Sequence, residues 1–248
     1  LAASAQARSA PACAVVASRR SDLRIGIARD RAFGFYYADD LAALQAAGAE
    51  LVPIDTLHDR SLPAVDGLFI GGGFPEACMD ELQANEALRT ALRKAIEAGL
   101  PTYAECGGLM YLSRSISWQG RTAAMVGAIP GDAVMQARPV GRGYVQLHDT
   151  GALPWGVPGA VLRGHEFHHS SLQNLAPGVR FAYRVTRGHG VDGSHDGVLV
   201  HNLLASYAHL RSAAGSGWVL RFVAHVRQWR RGGAAACPPV AAAAACVC

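Results

Sequence analysis

Short apolar runs alternate with amphipathic segments of helical period along most of this chain. Residues 23–28, 51–54 and 67–70 are near-continuous apolar runs bounded by charged or turn-forming residues. That is the pattern of strands buried on both faces. Between them, residues 39–47 carry Leu41 and Leu44 at helical spacing and stop at Gly48. Residues 85–98 place Leu88, Leu92 and Ile96 on one helical face, with Asn85 as the candidate N-cap and Gly99 as the stop. Strand and helix in alternation predict an α/β fold, a parallel sheet doubly wound with helices on both faces. From 115 to 200, Gly and Pro become frequent and the apolar runs short, which predicts an antiparallel insertion within the same domain. The last predicted element is 218–229, where Trp218, Phe222, Val226 and Trp229 form one stripe, read as core packing.

The chain has 248 residues, half of them hydrophobic, enough for one sizeable core. Residues 21–230 read as a single domain. Residues 1–20 read as a flexible tail or linker, and 231–248 as a low-complexity Ala/Cys tail. No run of eighteen apolar residues is free of charge, and the first twenty residues lack a continuous apolar core, so neither a membrane span nor a secretory leader is predicted. The six cysteines have no framework spacing, and three of them (Cys237, Cys246, Cys248) lie in the tail. Unpaired thiols fit a reducing, cytoplasmic setting. The formal charge of +4 is modest. Arginines at 19, 20, 24, 29 and 31 read as solvated surface, with an acidic partner as the sharper alternative. No aromatic–basic pattern points to nucleic acid.

The chemistry concentrates in residues 102–110, Thr-Tyr-Ala-Glu-Cys-Gly-Gly-Leu-Met. A strand-like run meets a cysteine and two glycines, so Cys106 falls at a sharp strand-to-helix turn with the geometry of a nucleophile elbow. A helix N-terminus beyond it favours the thiolate. A second cluster, Gly71, Gly72 and Gly73, follows the apolar run 68–70 and leaves backbone N–H groups bare. No Lys-Ser/Thr follows, so a phosphate loop is disfavoured and an oxyanion hole is the better reading. The base must come from ten histidines. His209 lies near a predicted strand end, where catalytic groups of open α/β sheets gather. His58 and His225 read as surface or helix-face residues. Residues 165–169, His-Glu-Phe-His-His, satisfy a zinc-protease pattern literally, but Gly164 and the alternation around it predict a strand. On a strand the two histidines lie about 13 Å apart, too far for one zinc. No metal site is predicted, and the segment is expected to line the site.

Five motifs in order carry a family resemblance: residues 25–37, 71–76, 103–111, 163–170 and 204–209. Together they resemble the C-terminal amidotransferase domain of cobyrinic acid a,c-diamide synthases, over roughly residues 23 to 225. The resemblance implies the mostly parallel, flavodoxin-like sheet of class I glutamine amidotransferases. It implies Cys106 as nucleophile and His209 as its base, with Gly72, Gly73 and the Gly107 backbone in the oxyanion region and glutamine as substrate. Many class I amidotransferases carry His-x-Glu, whereas His209 is followed by Leu210 and Arg211, so no third member is visible at that spacing. A dyad with slower or conditionally activated glutaminase chemistry is implied.

The resemblance also implies ATP-dependent amidation of tetrapyrrole carboxylates, as in cobalamin biosynthesis, with ATP and Mg²⁺ held by a P-loop synthetase domain or subunit. No P-loop occurs in these 248 residues, and the chain begins with Leu1. The expectation is a fragment, or a subunit whose ATP-dependent half is separate. The alternative is a non-catalytic module of the same fold that binds a tetrapyrrole or a partner synthetase. A related peptidase-like cysteine hydrolase would not need the 29–37 run.

Overall fold

The computed structural model describes residues 21–212 and 215–232; of the tails expected at 1–20 and 231–248, all but residues 231 and 232 lie outside the described residues. The apolar runs become strands where predicted. They are β1 (Leu23–Ala28), β3 (Ala49–Ile54), β4 (Gly67–Ile70) and β6 (Thr102–Glu105), with the short β2 (Phe33–Phe35) and β5 (Gly72–Gly73) between them. In β4 and β6 every residue is buried, as strands covered on both faces must be. Helix α1 (Ala38–Ala46) ends at Gly48, whose φ of +93° suits a glycine just past a helix. After the short α2 (Met79–Ala84), α3 (Glu86–Glu97) buries Leu88, Leu92 and Ile96. Asn85 precedes α3 but does not cap it with its side chain. Its amide instead donates to the carbonyls of Thr56 and Asp59, tying α3 to the loop after β3.

Helix α4 (Gly107–Leu112) follows β6 directly. The predicted antiparallel portion contains β7 (Ser115–Trp118), β8 (Arg121–Ala124), β9 (Asp132–Met135), β10 (Gly141–Asp149), β11 (Val161–His168), β12 (Ser170–Gln173), β13 (Arg180–Arg187) and β14 (His195–Val200). Then come β15 (Leu203–Ser206), β16 (His209–Leu210) and α5 (Trp218–Gly232), which extends two residues past the expected domain end.

The main sheet has ten strands in the order β16-β11-β10-β13-β14-β15-β6-β4-β1-β3. Strands β15, β6, β4, β1 and β3 are parallel neighbours; the other five continue the same sheet antiparallel. The antiparallel portion is therefore largely an extension of the main sheet, with β12-β9-β7-β8 forming a separate small one. Two apolar cores cover the two faces. One gathers α2, α3 and α4; the other gathers α1 and α5 with Trp155 and Tyr183. Trp218, Phe222 and Val226 of the predicted stripe are fully buried. The sheet curls far enough for β16, its last strand, to touch the end of β6, and that return builds the site.

Candidate active site

Strand β6 runs straight into Cys106, which adopts φ 49° and ψ −104°. Side chains rarely take that conformation, and it turns the thiol out of the strand at the start of α4. The Cys106 N–H donates to the Ser206 carbonyl at 2.7 Å, and its carbonyl accepts from Met110 to close the first turn of α4. The flanking glycines make the close approach possible. A Cβ on Gly108 would lie 2.2 Å from the Ile70 carbonyl oxygen, and one on Gly107 would lie 2.8 Å from the Gly73 backbone. The thiol is 9% exposed, with Sγ 3.9 Å from the Phe167 carbonyl.

The glycine triplet is not the uniformly bare backbone that the sequence predicts. Gly71 is not bare, because its N–H donates to the Tyr36 hydroxyl at 3.1 Å. Gly72 and Gly73 pair with Phe35 and Phe33 as β5. A Cβ on Gly72 would meet the His209 ring at 2.8 Å, so this backbone lies against the imidazole. The curl thus brings Cys106, His209, Gly72, Gly73 and Gly107 together from three separate segments.

His209 sits on β16, 4% exposed, and its Nδ1 lies 3.3 Å from Glu105 Oε2. The other Glu105 oxygen accepts from the Leu210 N–H at 3.0 Å and from the Tyr103 hydroxyl at 2.5 Å. This corrects the reading that no third group accompanies the pair. The carboxylate missing two positions after His209 stands in space at the residue before the nucleophile. The His165 ring stacks on His209, centroids 4.9 Å apart, and its Nδ1 is 2.8 Å from the Tyr37 hydroxyl. Phe35 meets His209 edge-on at 5.1 Å. Sequence reasoning missed Glu105, His165 and Tyr37. All three stand inside quoted motifs, but only the closure of the sheet shows what they touch.

Electrostatics follow from this packing. Burial opposes charge on His209, yet hydrogen bonds with Cys106 and Glu105 outweigh it and push the imidazole up to about 10 from 6.5. His165 goes the other way, lowered by burial and by the neighbouring His209. The two stacked rings are pushed in opposite directions.

The His-Glu-Phe-His-His run lies on β11 and the turn after it, not on a helix. His165 turns to the site, while Glu166 and His168 turn inward together. Glu166 accepts from the N–H groups of His189 and Gly190, which with His168 hold its carboxyl below the usual range despite burial. His168 stacks on Tyr207 at 3.8 Å. His58 is a surface residue paired with Asp55, whereas His225 is half-buried on α5. Of the arginine run, Arg24 and Arg31 pair with Glu50 and Glu81 on the surface. Beside His209 a cavity of about 570 Å³ is lined by Phe35, Tyr37, Tyr144, Arg163, His165 and Arg211 among others. Arg211 pairs with Asp39 at 2.8 Å and lies over the Tyr37 ring.

Residues 24–216 match the CobB/CobQ-like glutamine amidotransferase domain. The chain belongs to that family. It is 50% identical over 211 residues to a cobyrinate a,c-diamide synthase of Magnetococcus marinus, covering 85% of this chain and 44% of that protein. It is 44% identical over 208 residues to one of Methanosarcina acetivorans, covering 77% of this chain and 41% of the relative. The chain therefore spans less than half the length of these synthases. Among solved structures, PurLQS from Thermotoga maritima superposes with a TM-score of 0.61 at 17% identity, over 84% of this chain and 99% of that one. A glutamine amidotransferase of the same organism gives 0.52 at 11% identity, over 84% and 85%. These likenesses show the class I amidotransferase fold for this family member. No helix among the described residues is long and apolar enough to cross a membrane.

Proposed function

We propose that this amidotransferase domain hydrolyses glutamine through Cys106 and His209, and that the ammonia serves amidation of tetrapyrrole side-chain carboxylates. The observation that carries the reading is Cys106 itself, a non-glycine residue at φ +49° at the start of α4, with Gly72, Gly73, Gly107 and the buried His209 gathered beside it. Strained conformations at that kind of turn persist where the side chain has work to do.

In the proposed reaction the Cys106 thiol proton has passed to His209, which is the source of the charge on the imidazole, and the thiolate attacks the carboxamide carbon of glutamine. Backbone N–H groups of the Gly72–Gly73 and Gly107 segments stabilise the developing oxyanion, the step at which such donors contribute most. His209 then protonates the departing nitrogen, leaving a glutamyl thioester and ammonia. Water, deprotonated by the same imidazole, attacks the thioester and releases glutamate. The Glu105 carboxylate against His209 favours the protonated imidazole, which keeps its proton until the leaving group needs it.

The second half-reaction needs a carboxylate activated by a nucleotide. The glycine run here leads into Phe74, Pro75 and Glu76, which does not fit a triphosphate, so ATP and Mg²⁺ would act on a synthetase portion outside these residues. The relatives, more than twice the matched length, support that division. The setting in this proposal is the cytoplasm.

The test measures glutamate release by the chain and by Cys106→Ser and His209→Ala. Each substitution is expected to lower kcat by about 10³-fold or more. A wild-type chain with no release, even beside a competent synthetase portion and tetrapyrrole acceptor, would replace the enzyme by a binding module of the same fold.

A further inference from the structure

Three donors converge on the two oxygens of one buried carboxylate, and all three bear on the base. Glu105 is 3% exposed. Its Oε1 accepts from the Tyr103 hydroxyl and the Leu210 N–H, and its Oε2 faces His209 Nδ1 at 3.3 Å. Tyr103 is fully buried, stacked on Phe69 and packed against Trp218, so the Glu105 carboxylate is braced by the core rather than by solvent. The Leu210 bond fixes the backbone next to His209, and the Oε2 contact fixes the ring. Glu105 is also the covalent neighbour of Cys106, so one strand end carries both the nucleophile and the group that faces the base.

We propose that Glu105 is the positioning residue of the site, holding His209 as the Nδ1–H tautomer and stabilising its charged form. An imidazole whose Nδ1 proton is given to Glu105 leaves Nε2 free to take the thiol proton; the opposite tautomer has no lone pair there. The proposal rests on the glutaminase reading for its catalytic consequence but not for its electrostatic one. The groups facing His209 include Cys106 and Glu105 from β6 and its turn and His165 from β11; Tyr37 bonds to His165, and Asp39 and Asp40 at the start of α1 act on Tyr37. Arg211, next on its own segment, is turned to Asp39. Glu105 is the carboxylate in contact with the ring.

Glu105→Gln separates the two roles. Its amide oxygen still accepts from Leu210 and Tyr103, but its NH₂ meets Nδ1 as a donor and forces the wrong tautomer. The expected result is a kcat lower by about 10²- to 10⁴-fold, with KM for glutamine changed less than about threefold. The alkaline limb of kcat/KM moves to lower pH, because the imidazolium has lost its anion. Glu105→Asp restores part of kcat. In parallel, carboxamidomethylation of Cys106 by iodoacetamide is followed against pH by mass spectrometry of its peptide. The alkylation rate at neutral pH is expected to fall in Glu105→Gln, because an imidazole without its anion holds the thiol proton less firmly. Should Glu105→Gln fold poorly, nitrogen NMR of the wild-type chain reads the His209 tautomer directly, and an Nε2–H neutral form overturns the proposal. So does a Glu105→Gln enzyme with unchanged kcat and an unmoved alkylation profile, which would make Glu105 only a backbone brace. A wild-type chain without glutaminase activity defeats the functional reading alone, since the alkylation and tautomer measurements need no turnover.

Discussion

At Cys106 a glycine would be the ordinary choice, because φ +49° with ψ −104° penalises any Cβ. Residues held in such regions cost about 1 to 3 kcal/mol. The usual order of small substitutions, alanine more stable than glycine, is therefore expected to reverse here. Urea unfolding of Cys106→Gly and Cys106→Ala should show the glycine variant more stable by about 1 kcal/mol. An alanine variant equal to or above the glycine variant would mean that the elbow is relaxed, and strain would drop out of the account. The same residue shows what a sequence can and cannot say. The cysteine between a strand-like run and two glycines is visible in the chain, and so is the turn it must make. Its neighbour Glu105 lies in the same quoted motif, but nothing local marks it as a partner of His209. That pairing spans 104 positions and exists only after the sheet has curled.

Elements whose identity rests on local pattern were legible: the buried runs of β1 and β4, the Leu88–Leu92–Ile96 face of α3, and the Trp218–Val226 stripe of α5. Those settled by tertiary choice were not. Asn85 has the composition of a cap, yet bonding to Thr56 and Asp59 uses its amide. The run 115–200 announces antiparallel strands, but not that four of them would extend the main sheet while four form another, because strand neighbours are chosen by packing. The small sheet has its own electrostatic tie. Asp132 on β9 accepts from Arg114, Ser115 and Asn174, and these bonds lower its carboxyl to about 2. A carboxylate lowered on folding stabilises the fold above its unfolded value near 4, and that stability is lost as pH falls through about 2. Asp132→Asn should cost about 1 kcal/mol at neutral pH, discounted for the part-exposed Arg114. In thermal melts the gap from wild type should close as pH falls from 4 toward 2; a gap independent of pH would assign the loss to packing.

Across the whole molecule, exposed aromatic side chains collect where the site opens. Phe35, Phe74, Tyr144 and Phe167 are 49%, 69%, 77% and 53% exposed. Phe35 and Tyr144 line the cavity beside His209, Phe74 follows the glycine pair, and the Phe167 carbonyl faces the Cys106 thiol. Large rings cost free energy in water, and a cluster of them around a reaction centre marks a surface that another surface covers. The curated relatives are more than twice as long as the matched segment, so the synthetase portion of such an enzyme is the occupant the proposed function requires. Tyr144 is the most exposed of the four and stands across the β10–β11 ladder from His165. Tyr144→Ser should therefore leave glutamine hydrolysis by this chain within about twofold, while the loss of an aromatic anchor weakens docking by about tenfold or more. The measurement is the ratio of amide formed to glutamate released when the synthetase portion and acceptor are supplied. A falling ratio at constant glutamate release places the docking face at the mouth of the site. An unchanged ratio moves that face elsewhere and leaves the exposed rings without a partner.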